Sequence, residues 1–375
     1  MPMDYRNDAL HPMLRRAHGL AQLSLDDATA GADGLGRASY GACKVMESDG
    51  AGGLTDFTMG GEVTREAWSL NPYAGCLHAC AYCYVPDTIH AERKRWGSYV
   101  MVKRDLPTRL ARAIAKAEKA GLKHTTYLST ATDPYQPAEA EHRITRKCLE
   151  VLARRDWPVE ILSRSPLVLR DLDLFTQFSQ IRVGLSVPTL DDQVRRVLEP
   201  AAPAIPARLR ALRKLSDSGI ATFANYTPAC PPTTHDADEV AATFLKAGAQ
   251  WVNSKGLNRK ETILAPLWER LRGGPWEDLT KFFASEPRQA AWHQELGAAF
   301  RKIGMPLSEP FFNPPFEWLA TPLPEPTRQA TIFDLPRIPI LVQRPMAISS
   351  TAREPAGGPA SSWRPLSATT PRVSG

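Results

Sequence analysis

The chain has 375 residues, with 46 Lys and Arg against 40 Asp and Glu and a hydrophobic share of 43%. That balance suits a globular protein large enough for one α/β domain with additions, and its net charge of +6 permits contact with nucleic acid without demanding it. No run approaches the ~18 consecutive apolar residues of a membrane span, and Met1-Pro2-Met3-Asp4-Tyr5-Arg6 lacks the apolar core of a signal peptide. A cytoplasmic protein without a membrane partner is expected.

Residues 1–66 are weakly patterned and carry Gly-rich pieces such as Gly50-Ala51-Gly52-Gly53, so they read as an irregular N-terminal extension. Over 67–257 short β-rich runs alternate with helical ones. Strands are predicted at 69–73, 125–130, 159–163, 182–187, 221–227 and 251–255. Helices are predicted at 106–120, 144–155, 167–178, 206–218 and 237–247, with a start signal at Asp236. Six strands alternating with helices predict a parallel sheet with helices outside. Six repeats do not close as eight do, so the expected fold class is α/β, an open partial (β/α)6 TIM-like barrel. Segment 258–344 reads as a helical and Pro-rich C-terminal extension, with helices at 264–272 and 288–303. The Ser/Ala/Pro/Gly/Arg-rich residues 345–375 are expected to form a disordered tail.

Six cysteines stand at 43, 76, 80, 83, 148 and 230, three of them in the run Gly75-Cys76-Leu77-His78-Ala79-Cys80-Ala81-Tyr82-Cys83-Tyr84. One tight triplet is a poor disulfide framework and a good grip on a metal centre, which thiolates need to hold their charge. A closed structural zinc site wants four ligands. Here the fourth would have to come from His78 or His90, giving a zinc-stabilised binding module. An iron–sulfur cube held by three thiolates instead leaves one iron open for chemistry.

At these residues the chain resembles the radical S-adenosylmethionine superfamily, whose signature is this loop with an aromatic residue, here Tyr82, before the last cysteine. Asn71-Pro72-Tyr73, Thr132-Asp133-Pro134-Tyr135-Gln136-Pro137 and Arg170-Asp171-Leu172-Asp173-Leu174 are similar to the branch containing the spore photoproduct lyase-like proteins. The resemblance covers about 68–252. It implies a 4Fe–4S cluster on Cys76, Cys80 and Cys83, with S-adenosylmethionine on the open iron and a 5′-deoxyadenosyl radical as the product of its reductive cleavage. It also implies an external one-electron donor of the flavodoxin or ferredoxin type.

The resemblance further assigns cofactor-binding roles. Tyr82 would pack on the adenine or within the loop. Asp133, with Thr132 beside it, would accept from the methionyl ammonium or serve its own turn. Gln136 and Glu139 lie just past that turn and are candidates to assist. Arg164 stands where related lyases carry lysine, and its fork can still hold the methionyl carboxylate. Ser186 matches a serine that contacts the cofactor, and Glu199 in Leu198-Glu199-Pro200 reads as a ribose or supporting residue. Cys230 is a candidate hydrogen-atom donor, with an inert buried thiol as the plainer reading.

The cysteine loop, Asp133, Arg164, Ser186 and Cys230 follow successive predicted strands, so they should meet at the rim where such barrels keep their chemistry. The substrate stays open between a DNA lesion and another molecule modified by a related enzyme. Arg93-Lys94-Arg95-Trp96 has the basic and aromatic composition used on nucleic acid, or simply a solvated face.

Overall fold

The computed structural model describes residues 44–49, 53–59, 62–231 and 236–308. In chain order its strands are β1 (Lys44–Ser48), β2 (Thr55–Met59), β3 (Glu62–Leu70), β4 (Tyr73–Ala74), β5 (Tyr99–Lys103), β6 (Thr125–Leu128), β7 (Val159–Ser163), β8 (Ile181–Ser186), β9 (Ala221–Tyr226), β10 (Trp251–Ser254) and β11 (Leu307–Ser308).

Eight of them form one sheet in the order β11-β10-β9-β8-β7-β6-β3-β2. β3, β6, β7, β8, β9 and β10 run parallel, as the alternating pattern predicts. β11 adds a seventh parallel strand beyond β10, and β2 adds an antiparallel strand beside β3. A two-residue strand carries too little periodicity to be read from sequence. The architecture is a TIM-like partial barrel, and no pairing between β2 and β11 closes it among the described residues.

The central strands are covered on both faces, which is why Val159-Glu160-Ile161 and Ile181–Ser186 are buried along nearly their whole length. Outside, Val183, Leu185, Ala224 and Tyr226 share one apolar cluster with Ala211, Leu212 and Leu215 of helix Ile205–Asp217 and Val240 and Phe244 of helix Ala237–Lys246. Asp236 and Glu239 close the latter helix with a reciprocal capping box. Inside, Phe223 stacks on Trp251 with ring centroids 4.9 Å apart, and Arg182 lies 5.9 Å over the Trp251 ring. Gly184 is required there, because a Cβ would sit 2.3 Å from the Phe223 ring.

Four expectations are corrected. The first predicted strand breaks at Asn71-Pro72: β3 ends at Leu70, and Tyr73–Ala74 joins a separate sheet, β1-β5-β4. The segment expected to be irregular before residue 67 contributes β1, β2 and most of β3. The helix predicted over 167–178 is a 3₁₀ stretch, Pro166–Asp171, followed by a single turn, Leu172–Phe175. Helix Asp278–Ala284 lies between the two helices expected after 258. The tail and most of the Pro-rich segment fall outside the described residues.

Candidate active site

The cysteine loop is pinned where it begins. Tyr73 and Ala74 pair with Val102 and Met101 of β5, and Gly75 follows at φ +84°, where a Cβ would come within 2.6 Å of the Tyr99 carbonyl oxygen. Only glycine fits that turn. Thr132 Oγ1 donates to the Gly75 carbonyl at 2.6 Å. The Gln136 amide spans the loop, donating to the same carbonyl at 3.2 Å and accepting from Leu77 N at 3.0 Å. Farther along, Ala81 N donates to the Leu198 carbonyl at 2.8 Å, and Arg93 Nη1 donates to the Cys83 carbonyl at 2.9 Å.

Asp133, just past β6, joins this loop to the end of β7. Its carboxylate accepts from Tyr135 N at 2.9 Å, Ser163 Oγ at 2.7 Å and Arg164 N at 2.8 Å. Nε2 of His78 lies 3.4 Å from it, while Nδ1 faces the Ala201 carbonyl at 3.3 Å. Burial raises the Asp133 carboxyl, but His78, Ser163 and Arg164 outweigh it and hold the pKa at about 2. Both His78 nitrogens therefore face partners other than a thiol, which leaves His78 unsuited to be a fourth zinc ligand.

Glu199 follows helix Asp192–Leu198, whose start Asp191 caps by accepting from Gln193 N and Val194 N. Its fully buried carboxylate meets two arginines: Arg164 Nε at 2.7 Å on one oxygen and Arg208 Nη2 at 2.5 Å on the other. Tyr82 donates its hydroxyl to the Arg164-facing oxygen, and Cys80 Sγ lies 3.9 Å from it. Arg164 also donates to Tyr82 Oη at 3.3 Å, its guanidinium 6.0 Å from the ring centroid. Burial pushes the Glu199 carboxyl up, but Arg208 and Arg164 overcome it and hold the pKa at about 2.

The remaining predicted residues join the same assembly. The Ser186 carbonyl accepts from Arg208 Nη1 at 2.7 Å, and its hydroxyl accepts from Asn225 Nδ2 at 3.2 Å. Cys230, fully buried, shares an apolar cluster with Cys80 and Tyr82. Arg208 was not readable as part of this site. It lies in the periodic stretch of a helix, and nothing in its neighbours announces a buried charge.

Glu139 and the Arg170–Leu174 motif form a separate brace. Glu139 accepts from Tyr73 Oη at 2.5 Å and Arg170 Nη2 at 2.5 Å. Asp171 accepts from Tyr135 Oη at 3.0 Å and Arg146 Nη1 at 2.8 Å, and Asp173 pairs with Arg146 at 2.7 Å. The motifs that carry the resemblance thus bond to one another rather than to the thiols.

The donor set fits an iron–sulfur cluster. Cys76, Cys80 and Cys83 are free thiols on one loop. Burial raises all three, Cys80 to about 12 against the pull of Arg164, so a cationic centre is what would turn them into thiolates. A mononuclear zinc site takes four ligands around one ion, whereas a cluster meets each thiolate at its own iron.

The sequence profile described as the Radical SAM superfamily matches residues 70–245, which takes in the loop, Glu199 and Cys230. The chain belongs to the radical SAM superfamily. That family uses an iron–sulfur cluster and S-adenosylmethionine, and it draws on an electron donor. The chain is 35% identical over 163 residues to an uncharacterized protein of Methanocaldococcus jannaschii, a match covering 43% of this chain and 60% of that one. It is 30% identical over 234 residues to an uncharacterized protein of Acidianus two-tailed virus, covering 56% and 75%. Among solved structures, a point mutant of spore photoproduct lyase aligns with TM-score 0.53 and 12% identity over 84% of this chain and 89% of that one, a likeness of fold. No helix among the described residues is long and apolar enough to cross a membrane.

Proposed function

We propose that the protein is a radical SAM enzyme that holds a 4Fe–4S cluster on Cys76, Cys80 and Cys83 and takes a hydrogen atom from a substrate at the barrel mouth. With S-adenosylmethionine on its open iron, such a cluster supplies one electron that splits the sulfonium into methionine and a 5′-deoxyadenosyl radical. The observation that carries the reading is the set of three free thiols, Cys76 and Cys80 buried and Cys83 half-buried, on a loop fixed at the C-terminal edge of the parallel strands, with Cys80 against the Tyr82–Arg164–Glu199 group.

The chain's own residues bind and orient. Gln136 and Thr132 hold the cysteine loop in place through Gly75 and Leu77. Arg164 uses Nε and Nη2 on Glu199 and Tyr82, which leaves its third nitrogen to take the methionyl carboxylate. Asp133 fixes the start of the loop that carries Arg164, with its ammonium-binding role secondary to that. Glu199, through the oxygens it shares with the arginines, orients Tyr82 toward the adenine side, and Ser186 stands beside it. Cys230 would return its S–H hydrogen to a product radical, and the thiyl left behind would be restored by an electron from the external donor and a proton. Unchanged turnover and product distribution in Cys230→Ala would rule that role out.

An external flavodoxin- or ferredoxin-type donor supplies the electron. A DNA substrate has less to rest on, because Arg93 of the basic run is spent on the Cys83 carbonyl and Asp87. The test is dithionite reduction of the oxygen-free, reconstituted protein with S-adenosylmethionine. Formation of 5′-deoxyadenosine is expected. Iron and sulfide bound without any cleavage would sink the reading.

A further inference from the structure

The three thiols of the loop are not equally enclosed. Cys76 and Cys80 are buried, whereas Cys83 is half-buried and is followed by the exposed Tyr84. The chain that closes over Cys83 is the 3₁₀ turn Arg93–Arg95 with its cap, Trp96. Arg93 anchors this turn, donating from Nη1 to the Cys83 carbonyl at 2.9 Å and from Nη2 to Asp87 at 2.8 Å. Trp96 N donates to the Arg93 carbonyl at 3.0 Å, which keeps the indole within one turn of that anchor. The indole meets the Tyr99 ring edge-on, with centroids 6.3 Å apart at 85°. Tyr99 in turn lies against Gly75, where the cysteine loop begins. One segment, 93–99, thus touches that loop at both ends.

Trp96 is half-buried. Its indole N–H bonds to the Cys83 thiol, which also receives the Val85 backbone N–H. An indole nitrogen only donates, and a thiol sulfur is a weak acceptor. A thiolate on a metal centre keeps much of its negative charge, and hydrogen bonds to ionised acceptors are far stronger than neutral ones. The contact therefore gains most in the cluster-bearing protein. It gains again when the cluster takes an electron, because the added charge spreads onto the sulfurs. A donor aimed at a ligand sulfur favours the reduced form in this way, and such bonds are one of the levers on the potential of an iron–sulfur centre. Cys76 has the His78 backbone N–H, and Cys80 has the nearby charge of Arg164. At Cys83 a side chain supplies the donor, so substitution can remove it without disturbing the backbone.

We propose that Trp96 is a positioning residue for the electron-transfer step, whose N–H on Cys83 Sγ, held there by Arg93 and Tyr99, raises the reduction potential of the cluster. This rests on the radical SAM reading and adds to it a residue that tunes how readily the external donor can reduce the centre.

The experiment is an EPR-monitored potentiometric titration of the oxygen-free, reconstituted protein. Trp96→Phe keeps an aromatic ring and loses the donor. Replacing Trp96 with 3-benzothienylalanine keeps the bicyclic shape, puts sulfur where the N–H stood, and decides the matter if Trp96→Phe does not load iron. Both variants should hold iron and sulfide at the wild-type level. Both should be harder to reduce by about threefold in the equilibrium, ~28 mV at ~59 mV per tenfold for one electron. An unchanged potential in the benzothienyl variant would overturn the proposal and leave Trp96 as packing. A raised potential would overturn it too, because water admitted at Cys83 shifts the centre in that opposite direction. The radical reading is scored apart from this, by 5′-deoxyadenosine formed by the wild type with dithionite and S-adenosylmethionine. A wild type that holds the cluster without cleaving S-adenosylmethionine would sink that reading and still leave the potentials to be compared.

Discussion

Glu199 and Arg208 meet with neither side chain exposed to solvent, Oε2 to Nη2 at 2.5 Å. Arg208 also donates to the Pro203 and Ser186 carbonyls at 2.9 and 2.7 Å, so its guanidinium is fully used inside the protein. The pair balances the buried carboxylate from below. Arg164, 21% exposed, then adds a positive charge on the side that faces the mouth.

Removing the lower partner should be costly. Arg208→Met leaves Glu199 buried with one arginine, and breaking a buried pair in this way costs about 3–5 kcal/mol. Arg208→Lys keeps the charge but loses the fork, and should fall between the two. Denaturant unfolding of the apoprotein at pH 7 measures both. Equal stability of Arg208→Met and wild type would contradict the pairing.

Each of Cys76→Ala, Cys80→Ala and Cys83→Ala should abolish the brown colour and the iron and sulfide content after anaerobic reconstitution. Cys148→Ala should retain them, since Cys148 is buried among Leu149, Leu152 and the rest of the outer core. Iron and sulfide analysis with visible absorption reads all four.

Gln136 is a structural clasp on the loop. In Gln136→Leu, Leu77 N loses its acceptor and Thr132 Oγ1 one donor, at a cost of about 1–3 kcal/mol for the unsatisfied buried amide. The fold should survive that loss, but reconstituted iron per chain should fall. A variant that loads iron to the wild-type level would show the loop to be fixed by its other contacts.

Asp192 gives a test by pH. It accepts from Arg195 Nε and Nη2 and from Ile205 N, and these outweigh partial burial to hold its carboxyl below the usual range. A carboxyl depressed in the folded state stabilises above its unfolded pKa, near 3.8, and that contribution fades as pH falls through the folded value. Asp192→Asn should therefore be less stable than the wild type at pH 7. The gap should close as pH drops below about 4, measured by thermal melts of the apoprotein.

The sheet was readable from sequence because short runs rich in β-branched and aromatic residues, such as those at Val159–Ser163 and Trp251–Ser254, alternate with helical patterns. The cysteine loop was readable because three thiols at fixed spacing have few other uses. Arg208 and the Arg146–Asp171–Asp173 brace were hidden, since ion pairs between residues far apart in the chain leave no local periodicity. Ser308 was hidden for a related reason: a two-residue strand is defined by its neighbour, Asn253, and not by its own sequence. Asp133 was found for its chemistry, yet most of its bonds organise the protein around it.

The small sheet beneath the cysteine loop links the loop to the first described strand. β5 bonds β4 on one side and β1 on the other, so a chain trimmed just past β1 would strip one side of β5 bare. An unpaired β edge recruits other chains. The shortened protein should then clump before its metal chemistry could be assayed, and the leading segment would be needed for solubility as much as for shape.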